Sequence, residues 1–292
     1  MEAMNGVSIN TKGVKYEEEG VATAVGAIFA ILIFIFLLSL FITSYVPAEM
    51  TAYEEQYSSG VTNDMMQFIS TVSLLTVNYQ QGESASVTFD LQSNYIPLFT
   101  SPTMGELSLT SSAPGTDGYL SVSNSTVTVH SGGCLSLLTN NRYFVDESLY
   151  FELSTLLYEQ RDSSPLINTT LQSSLIRVEP STNGSINLSM SLINITGGPI
   201  TLSSGSPFAL SVTALSKDYY QLSGNLTLTY YSSFGFQIYK SLSESLTNIN
   251  GISIGYVNEG NGYGTVDISS SATPIILNVT EMTILVGDSI SS

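Results

Sequence analysis

Residues Val21 to Val46 read VATAVGAIFAILIFIFLLSLFITSYV, a stretch without a single charged side chain. As an α-helix it would be about 39 Å long, because each residue adds about 1.5 Å, whereas the hydrocarbon core of a bilayer is about 30 Å thick. A buried helix in a soluble domain rarely stays apolar over such a length, and the apolar part of a cleaved secretory signal is only about 7 to 15 residues long. The stretch therefore predicts a transmembrane helix over 21–46 that is kept in the chain.

Basic residues around this stretch predict its orientation. Lys12 and Lys15 precede it, and no Lys or Arg follows it until Arg142. Lys and Arg concentrate on the cytoplasmic side of membrane helices. Residues 1–20 are thus expected to be an irregular cytoplasmic tail, and everything after the helix is expected outside the cell.

Asn-x-Ser/Thr sequons support the same orientation. They all follow the apolar stretch, on the side predicted to be extracellular, where N-linked glycans would be attached. The candidate glycosylation sites are Asn124, Asn168, Asn183, Asn187, Asn194, Asn225 and Asn278.

The overall composition excludes several classes of partner. The net charge is −17, and only 11% of residues are charged. Nucleic acid and anionic lipid headgroups require clustered Lys and Arg, which this chain lacks, so neither is an expected ligand. The single cysteine, Cys134, has no partner for an internal disulfide. The expected partners are the lipid bilayer, the chain itself and other envelope proteins.

A second helix is predicted immediately after the membrane stretch, over residues 47–80. Its apolar residues recur at spacings of three and four, as in an amphipathic helix, namely Tyr53, Tyr57, Val61, Met65, Phe68, Val72 and Leu75. Pro47 predicts a kink at its start, and Gly60 weakens the helix, so two stacked helices are an equally fair interpretation. The apolar stripe of this stalk could be covered by the chain's own ectodomain or by the same helix in neighbouring subunits.

Residues 81–292 have the alternation of antiparallel β-structure. Apolar residues alternate with polar ones around Val87, Leu188, Leu228 and Leu277, with turn residues between these segments. The predicted fold class is a membrane-anchored α+β protein whose ectodomain is mainly an antiparallel β-sandwich. A short helix is expected over 241–247, and a break at 180–184 could divide the ectodomain into two sheets or subdomains.

Few residues could carry catalysis. His130 and Cys134 are the only histidine and cysteine, and the two glycines between them indicate a turn beside a buried thiol rather than a catalytic pair. Acidic residues cluster over one stretch, which could in principle serve acid–base chemistry; they are Asp146, Glu147, Glu152, Glu159 and Asp162. A solvated strand face is the preferred interpretation of this cluster. Residues 258–262 are interpreted as a hairpin turn rather than a calcium loop, and no catalytic, cofactor or metal site is predicted.

Two parts of the chain resemble a known family. The first is the start of the apolar helix, Glu19-Gly20-Val21-Ala22-Thr23-Ala24-Val25-Gly26, with its exit Tyr45-Val46-Pro47. The second is the segment Asn141-Arg142-Tyr143-Phe144-Val145-Asp146, followed by Tyr150-Phe151-Glu152 and Leu156-Leu157-Tyr158-Glu159-Gln160. On these residues the chain resembles archaeal type IV pilin-like and archaellin-like single-pass envelope proteins.

The resemblance implies an anchored β-rich ectodomain and a candidate processing site at Gly20. Members that are cleaved by the prepilin peptidase usually carry Lys or Arg before this glycine, whereas this chain has Glu19. Some members come from acidophiles, and in strong acid the carboxylates would be neutral, leaving 7 Lys and Arg and 1 His as the charged side chains. The acidic composition is compatible with that setting.

The expected function is a non-catalytic, single-pass surface protein of an archaeal envelope, serving in surface structure, adhesion or envelope organisation. A filament subunit assembled through residues 21–75 is the first alternative. The others are a stator-like accessory of a surface motor and an extracellular hydrolase that uses the acidic cluster.

Overall fold

A computed structural model of the chain describes residues 11–160, 169–172, 175–180, 184–247, 249–260, 262–271 and 273–288. Its helices are α1 (Thr11–Leu40), a π-helical turn (Phe41–Tyr45), α2 (Val46–Val77) and α3 (Gly235–Leu246). Residues Val21–Val77 form one uninterrupted helix of 57 residues that is long and apolar enough to cross a bilayer. None of the residues in its most apolar part is buried by the rest of the described chain.

The helix begins earlier than predicted. Helix α1 starts at Thr11, so the expectation of an irregular tail is wrong for residues 11–19. Extending an existing helix costs far less than nucleating one, and this segment is rich in Lys and Glu, which favour helix. The long apolar stretch therefore continues backward as helix.

The π-helical turn explains why Pro47 does not end the helix. A proline lacks an N–H, and its ring crowds the carbonyl group four residues earlier. Just before Pro47, the N–H of Val46 bonds to the carbonyl of Phe41, five residues back, which widens the helix locally. One continuous helix, rather than two stacked ones, leads into α2. At its far end, the Lys217 ammonium donates to the Thr76 carbonyl at 2.7 Å.

In the described part of the chain, sixteen strands form three sheets. The strands are β1 (Ser84–Phe89), β2 (Glu106–Ser111), β3 (Tyr119–Ser123), β4 (Thr128–Ser131), β5 (Gly133–Leu138), β6 (Glu147–Glu152), β7 (Thr155–Gln160), β8 (Thr169–Gln172), β9 (Ile176–Glu179), β10 (Ile186–Thr196), β11 (Ile200–Leu202), β12 (Phe208–Ser223), β13 (Leu226–Tyr231), β14 (Ile252–Gly260), β15 (Tyr263–Ser270) and β16 (Ile275–Asp288). The central sheet has the order β1-β12-β16-β10-β9, the stalk-side sheet β11-β2-β5-β6-β7-β8, and the outer sheet β14-β15-β13-β3-β4.

The central sheet buries opposite faces at its two ends. Strands β10 and β16 run parallel in unbroken register from the Ile186–Ile275 pair to the Thr196–Leu285 pair. Successive side chains of a strand point to opposite faces, yet Leu192 and Ile193 are both buried. The buried positions of β10 thus change face between these two residues. Strand β12 makes the same change through a bulge between Ala214 and Ser216.

Each buried face belongs to a separate core. The stalk core joins α2 and the stalk-side sheet to one half of the central sheet, and includes Val61, Met65, Phe68, Leu109, Leu135, Phe151, Ile193, Ile195 and Ile284. The outer core joins the outer sheet and α3 to the other half, and includes Leu120, Leu228, Tyr230, Leu242, Val266, Leu188, Leu192 and Leu277. The apolar stripe of α2 is therefore covered by the ectodomain of the same chain.

The sheet-rich α+β class and the predicted strands are confirmed. The strands around Val87, Leu188, Leu228 and Leu277 are β1, β10, β13 and β16, and the helix expected over 241–247 is the second half of α3. Residues 181–183 of the predicted break lie outside the described residues. Both cores draw strands from before and after this break.

The change of face makes a sharp prediction. Leu192→Ala and Ile193→Ala should each lower the free energy of unfolding by about 2 to 4 kcal/mol, because each leaves a cavity, one in the outer core and one in the stalk core. The neighbouring exposed Ser191→Ala is the control and should change stability by less than about 0.5 kcal/mol. Denaturant titration of the full chain in detergent measures all three. In a strand with one solvent face, only one of the two apolar substitutions would be costly.

Candidate functional site

The most concentrated polar arrangement joins α2 to the ectodomain at Glu54. This residue lies one turn after Met50 and one turn before Ser58, on the buried side of α2. Its side chain is 0% exposed. A buried carboxylate is costly unless donors surround it, so its neighbours decide whether this end of the stalk can pack.

Glu54 is surrounded by four donors. Its Oε2 accepts the backbone N–H groups of Arg142, Tyr143 and Phe144 at 3.0, 2.6 and 2.8 Å. Its Oε1 accepts the Thr103 hydroxyl at 2.6 Å. Consecutive backbone N–H groups that converge on one anion form a nest, and hydrogen bonds to a charged acceptor are the stronger kind. We call Glu54, Thr103, Arg142, Tyr143 and Phe144 the carboxylate clasp.

A second group of hydrogen bonds shapes the loop that carries the nest. The Asn141 amide donates to the Ser58 hydroxyl of α2 at 3.0 Å and to the Val145 carbonyl at 2.8 Å. The Asn141 N–H donates to the Asp146 carboxylate at 2.6 Å. The segment 141–146, which carries part of the family resemblance, is thus the loop that holds α2 in place.

The clasp was not predicted from the sequence. Arg142 contributes its backbone N–H to it, so the basic side chain gave no signal. The usable signal was Glu54 itself, an acidic residue on the buried stripe of an amphipathic helix. Such a position predicts a buried carboxylate with dedicated donors.

Within the described residues, the acids of this stretch do not form a paired-carboxylate site. Glu147 and Glu152 lie at opposite ends of β6 and, five residues apart in a strand, point to opposite faces. Glu147 accepts a hydrogen bond from the Tyr158 hydroxyl at 2.6 Å, and Asp146 accepts one from the Asn141 N–H. Glu159 pairs with Ser148 across β7 and β6, away from the Glu152 end. Asp162 lies outside the described residues.

Glu152 belongs instead to the contact between the stalk-side and outer sheets. It is 1% exposed and accepts the hydroxyl of Ser232, which in turn accepts the N–H of Phe234 at 2.9 Å. Burial, followed by the nearby Asp117 carboxylate, raises the pKa of Glu152 to about 8, although the Ser232 hydrogen bond lowers it. This contact therefore favours the protonated acid.

His130 and Cys134 do not form a pair. His130 lies in β4 of the outer sheet and is exposed, with its Nδ1 at 2.7 Å from the Tyr119 hydroxyl. Cys134 lies in β5 of the stalk-side sheet and is 5% exposed. Burial first, and Glu152 second, raise the pKa of the Cys134 thiol, so the thiol is unreactive. The predicted buried thiol is confirmed. In place of the predicted turn, the chain passes through Gly132 directly from β4 of the outer sheet into β5 of the stalk-side sheet.

The β14–β15 hairpin and a cleft beside the end of α2 are two further features to place. Strands β14 and β15 pair antiparallel with an irregularity between Asn258 and Gly260, which agrees with the predicted hairpin; Asn261 lies outside the described residues. A cleft of about 370 Å³ between the end of α2 and strands β9 and β10 contains one acid, Glu179, which accepts the Ser189 hydroxyl at 2.8 Å.

The described sequons differ in accessibility. A glycan is attached to the amide nitrogen, which must therefore reach solvent. Asn225 and Asn278 are exposed, and Asn187 is half-buried. The Asn124 amide instead donates to the Ser223 carbonyl at 3.1 Å, and the Asn194 Oδ1 is buried without a partner in the described part of the chain. Asn168 and Asn183 lie outside the described residues.

Comparison with known proteins adds no relative. No protein-family model, curated protein or solved structure matches the chain.

The carboxylate clasp yields a testable prediction. Glu54→Ala leaves three backbone N–H groups and one hydroxyl without their acceptor, and each unsatisfied buried group costs about 1 to 3 kcal/mol. We expect the free energy of unfolding to fall by about 3 kcal/mol or more, with faster hydrogen exchange at the amides of Tyr143 and Phe144. The exposed neighbour Glu55→Ala should leave both measurements unchanged. Equal effects of the two substitutions would show that the clasp contributes nothing.

The Glu152 contact predicts a dependence of stability on pH. The folded pKa of about 8 lies above the ordinary 4.5, so the folded chain binds this proton more tightly than the unfolded chain. The contribution is complete below 4.5 and is lost as pH rises through about 8. Urea titrations across this range should show a steeper loss of stability in the wild type than in Glu152→Gln. The exposed Glu244→Gln should keep the slope of the wild type.

Proposed function

We propose that the chain is a non-catalytic, single-pass surface protein of an archaeal envelope that holds its β-rich domain outside the cell. In this proposal α1 spans the membrane, the N-terminal segment is cytoplasmic, and the ectodomain serves surface structure, adhesion or envelope organisation. The bilayer is its first partner.

One observation carries the proposal, namely a single helix with two different surroundings. Before Phe41 the helix exposes its apolar side chains, and each residue from Ile31 to Leu37 is 53–67% exposed. From Val46 onward the same helix contributes buried residues such as Met50, Met65 and Phe68 to the ectodomain. An apolar cylinder of this length is stable in lipid and not in water.

The covering of α2 favours a permanent anchor over a filament subunit. The stripe that could have packed against neighbouring helices is filled by the chain's own stalk core. The exposed face of α2 is polar in its first half, where Glu55, Gln56, Ser59 and Asn63 lie. Its second half also exposes Met66, Leu74 and Val77. Glu19, in place of a basic residue before Gly20, supports the same choice.

The placement of carboxyl groups supports an acidic surrounding. Three partly or fully buried acids lie near a second carboxyl group, and burial is the largest cause that raises each pKa. These pairs are Asp64 with Asp90, Glu152 with Asp117, and Glu281 with Asp218. Low pH neutralises such pairs without any basic partner.

Glycans are proposed at the exposed sequons. Asn225 follows the end of β12 and Asn278 lies on the open face of the central sheet, both beyond the part of the sheet that α2 covers. Glycans there would point away from the anchor.

Membrane fractionation and intact mass measurement of the native protein test the proposal. We expect the protein to stay with membranes after an alkaline carbonate wash and to retain the Glu19-Gly20-Val21 sequence uncut. A chain that starts at Val21 and is recovered in sheared filaments would make the filament subunit the better reading. Release by the carbonate wash would remove the anchor altogether.

A further inference from the structure

The loop between β1 and β2 ends in an apolar turn. Residues 91–105 carry no charge, and the turn Ile96-Pro97-Leu98-Phe99 is closed by the Phe99 N–H, which donates to the Ile96 carbonyl at 3.1 Å. The Thr100 hydroxyl accepts the Ile96 N–H at 2.9 Å and fixes the base of the turn. We call residues 95–99 the apolar turn.

Leu98 is an unusual residue for its position. Its φ is +72°, which lies in the left-handed region. A type II turn with proline at its second position needs such a φ at its third position, where glycine or asparagine is normally found. A leucine there costs about 1 to 2 kcal/mol. Its side chain is also 101% exposed, so the described chain gives it no apolar contact in return.

The apolar turn lies against the membrane stretch. The ring centroids of Phe99 and Phe41 are 5.1 Å apart, and the Thr100 hydroxyl lies 3.2 Å from the Met50 sulfur. The 20 helical residues from Val21 to Leu40 rise about 30 Å, the thickness of the hydrocarbon core. Phe41 therefore lies where the proposed span leaves the hydrocarbon, and the turn is at the same level.

The neighbouring aromatic residues suit that level. Tyr45 is 51% exposed and stacks on Phe41, and Tyr95 in the loop is 45% exposed. Tyrosine concentrates at the boundary between lipid and water, where its ring is buried and its hydroxyl is hydrated. The uncharged loop brings no charged group into the apolar part of the bilayer, where charge is costly.

We propose that the apolar turn is a second membrane contact, in which Leu98 and Phe99 insert into the outer leaflet beside the span. The proposal rests on the membrane anchor of the preceding section. Because the occupant is the bilayer that already surrounds Phe41, the lipid contact is continuous from helix to turn. Two contacts fix the tilt of the ectodomain, whereas a single helix would not.

Tryptophan fluorescence tests the insertion, since the chain contains no tryptophan. The full chain would be prepared with one tryptophan at a time, as Leu98→Trp, Phe99→Trp, Phe34→Trp or Leu74→Trp, in vesicles with and without brominated acyl chains. Phe34 lies in the span, and Leu74 is exposed on α2 about 50 Å along the helix from Phe41. We expect blue-shifted emission and bromine quenching at positions 98, 99 and 34, and neither at position 74.

The pattern separates this inference from the anchor. Quenching at position 34 without quenching at 98 and 99 would overturn the second contact and leave the anchor intact. Absence of quenching at position 34 would overturn both. A blue shift at 98 and 99 without bromine quenching would mean that protein, such as a second copy, covers the turn, and would also overturn the inference. Phe99→Trp keeps an aromatic ring and secures the test if Leu98→Trp does not fold.

Discussion

The change of buried face along β10, β12 and β16 is the constraint on which the ectodomain depends. A sheet with one apolar face supports one core, and the chain needs two, because α2 must be covered on one side and the outer sheet on the other. The unbroken β10–β16 pair contributes side chains to both cores, one core at each end. Neither core can therefore be removed without exposing part of the other's sheet.

The contacts between layers follow from this arrangement. The stalk-side sheet packs on α2 through its inner face, which leaves Glu152 on its other face, where the outer sheet arrives through Ser232. The carboxylate clasp joins the buried side of α2 to the loop between β5 and β6. Buried acids thus hold the layers together at two places, and in both cases hydroxyl or amide donors replace basic side chains.

Much of the fold could be predicted from local patterns. The apolar stretch, the stripe of α2 and the alternation in β1, β10, β13 and β16 are periodicities that a sequence shows directly. The change of face is also visible in the sequence, as the adjacent apolar residues Leu192 and Ile193 in an otherwise alternating strand. The parallel pairing of β10 with β16 could not be predicted, because alternation does not reveal which strands are neighbours. The clasp was hidden because its donors are backbone groups, and the separation of the acids depended on the register of β6.

The continuous helix also determines how force passes through the molecule. No flexible segment separates the membrane stretch from α2, and α2 is fastened near its start by the clasp and near its end by Lys217. The helix and the ectodomain form a rigid lever arm about 86 Å long from Val21 to Val77. With the helix anchored as proposed, a sideways pull on the outer sheet would reach the bilayer as torque on the span and would tilt the helix in the membrane.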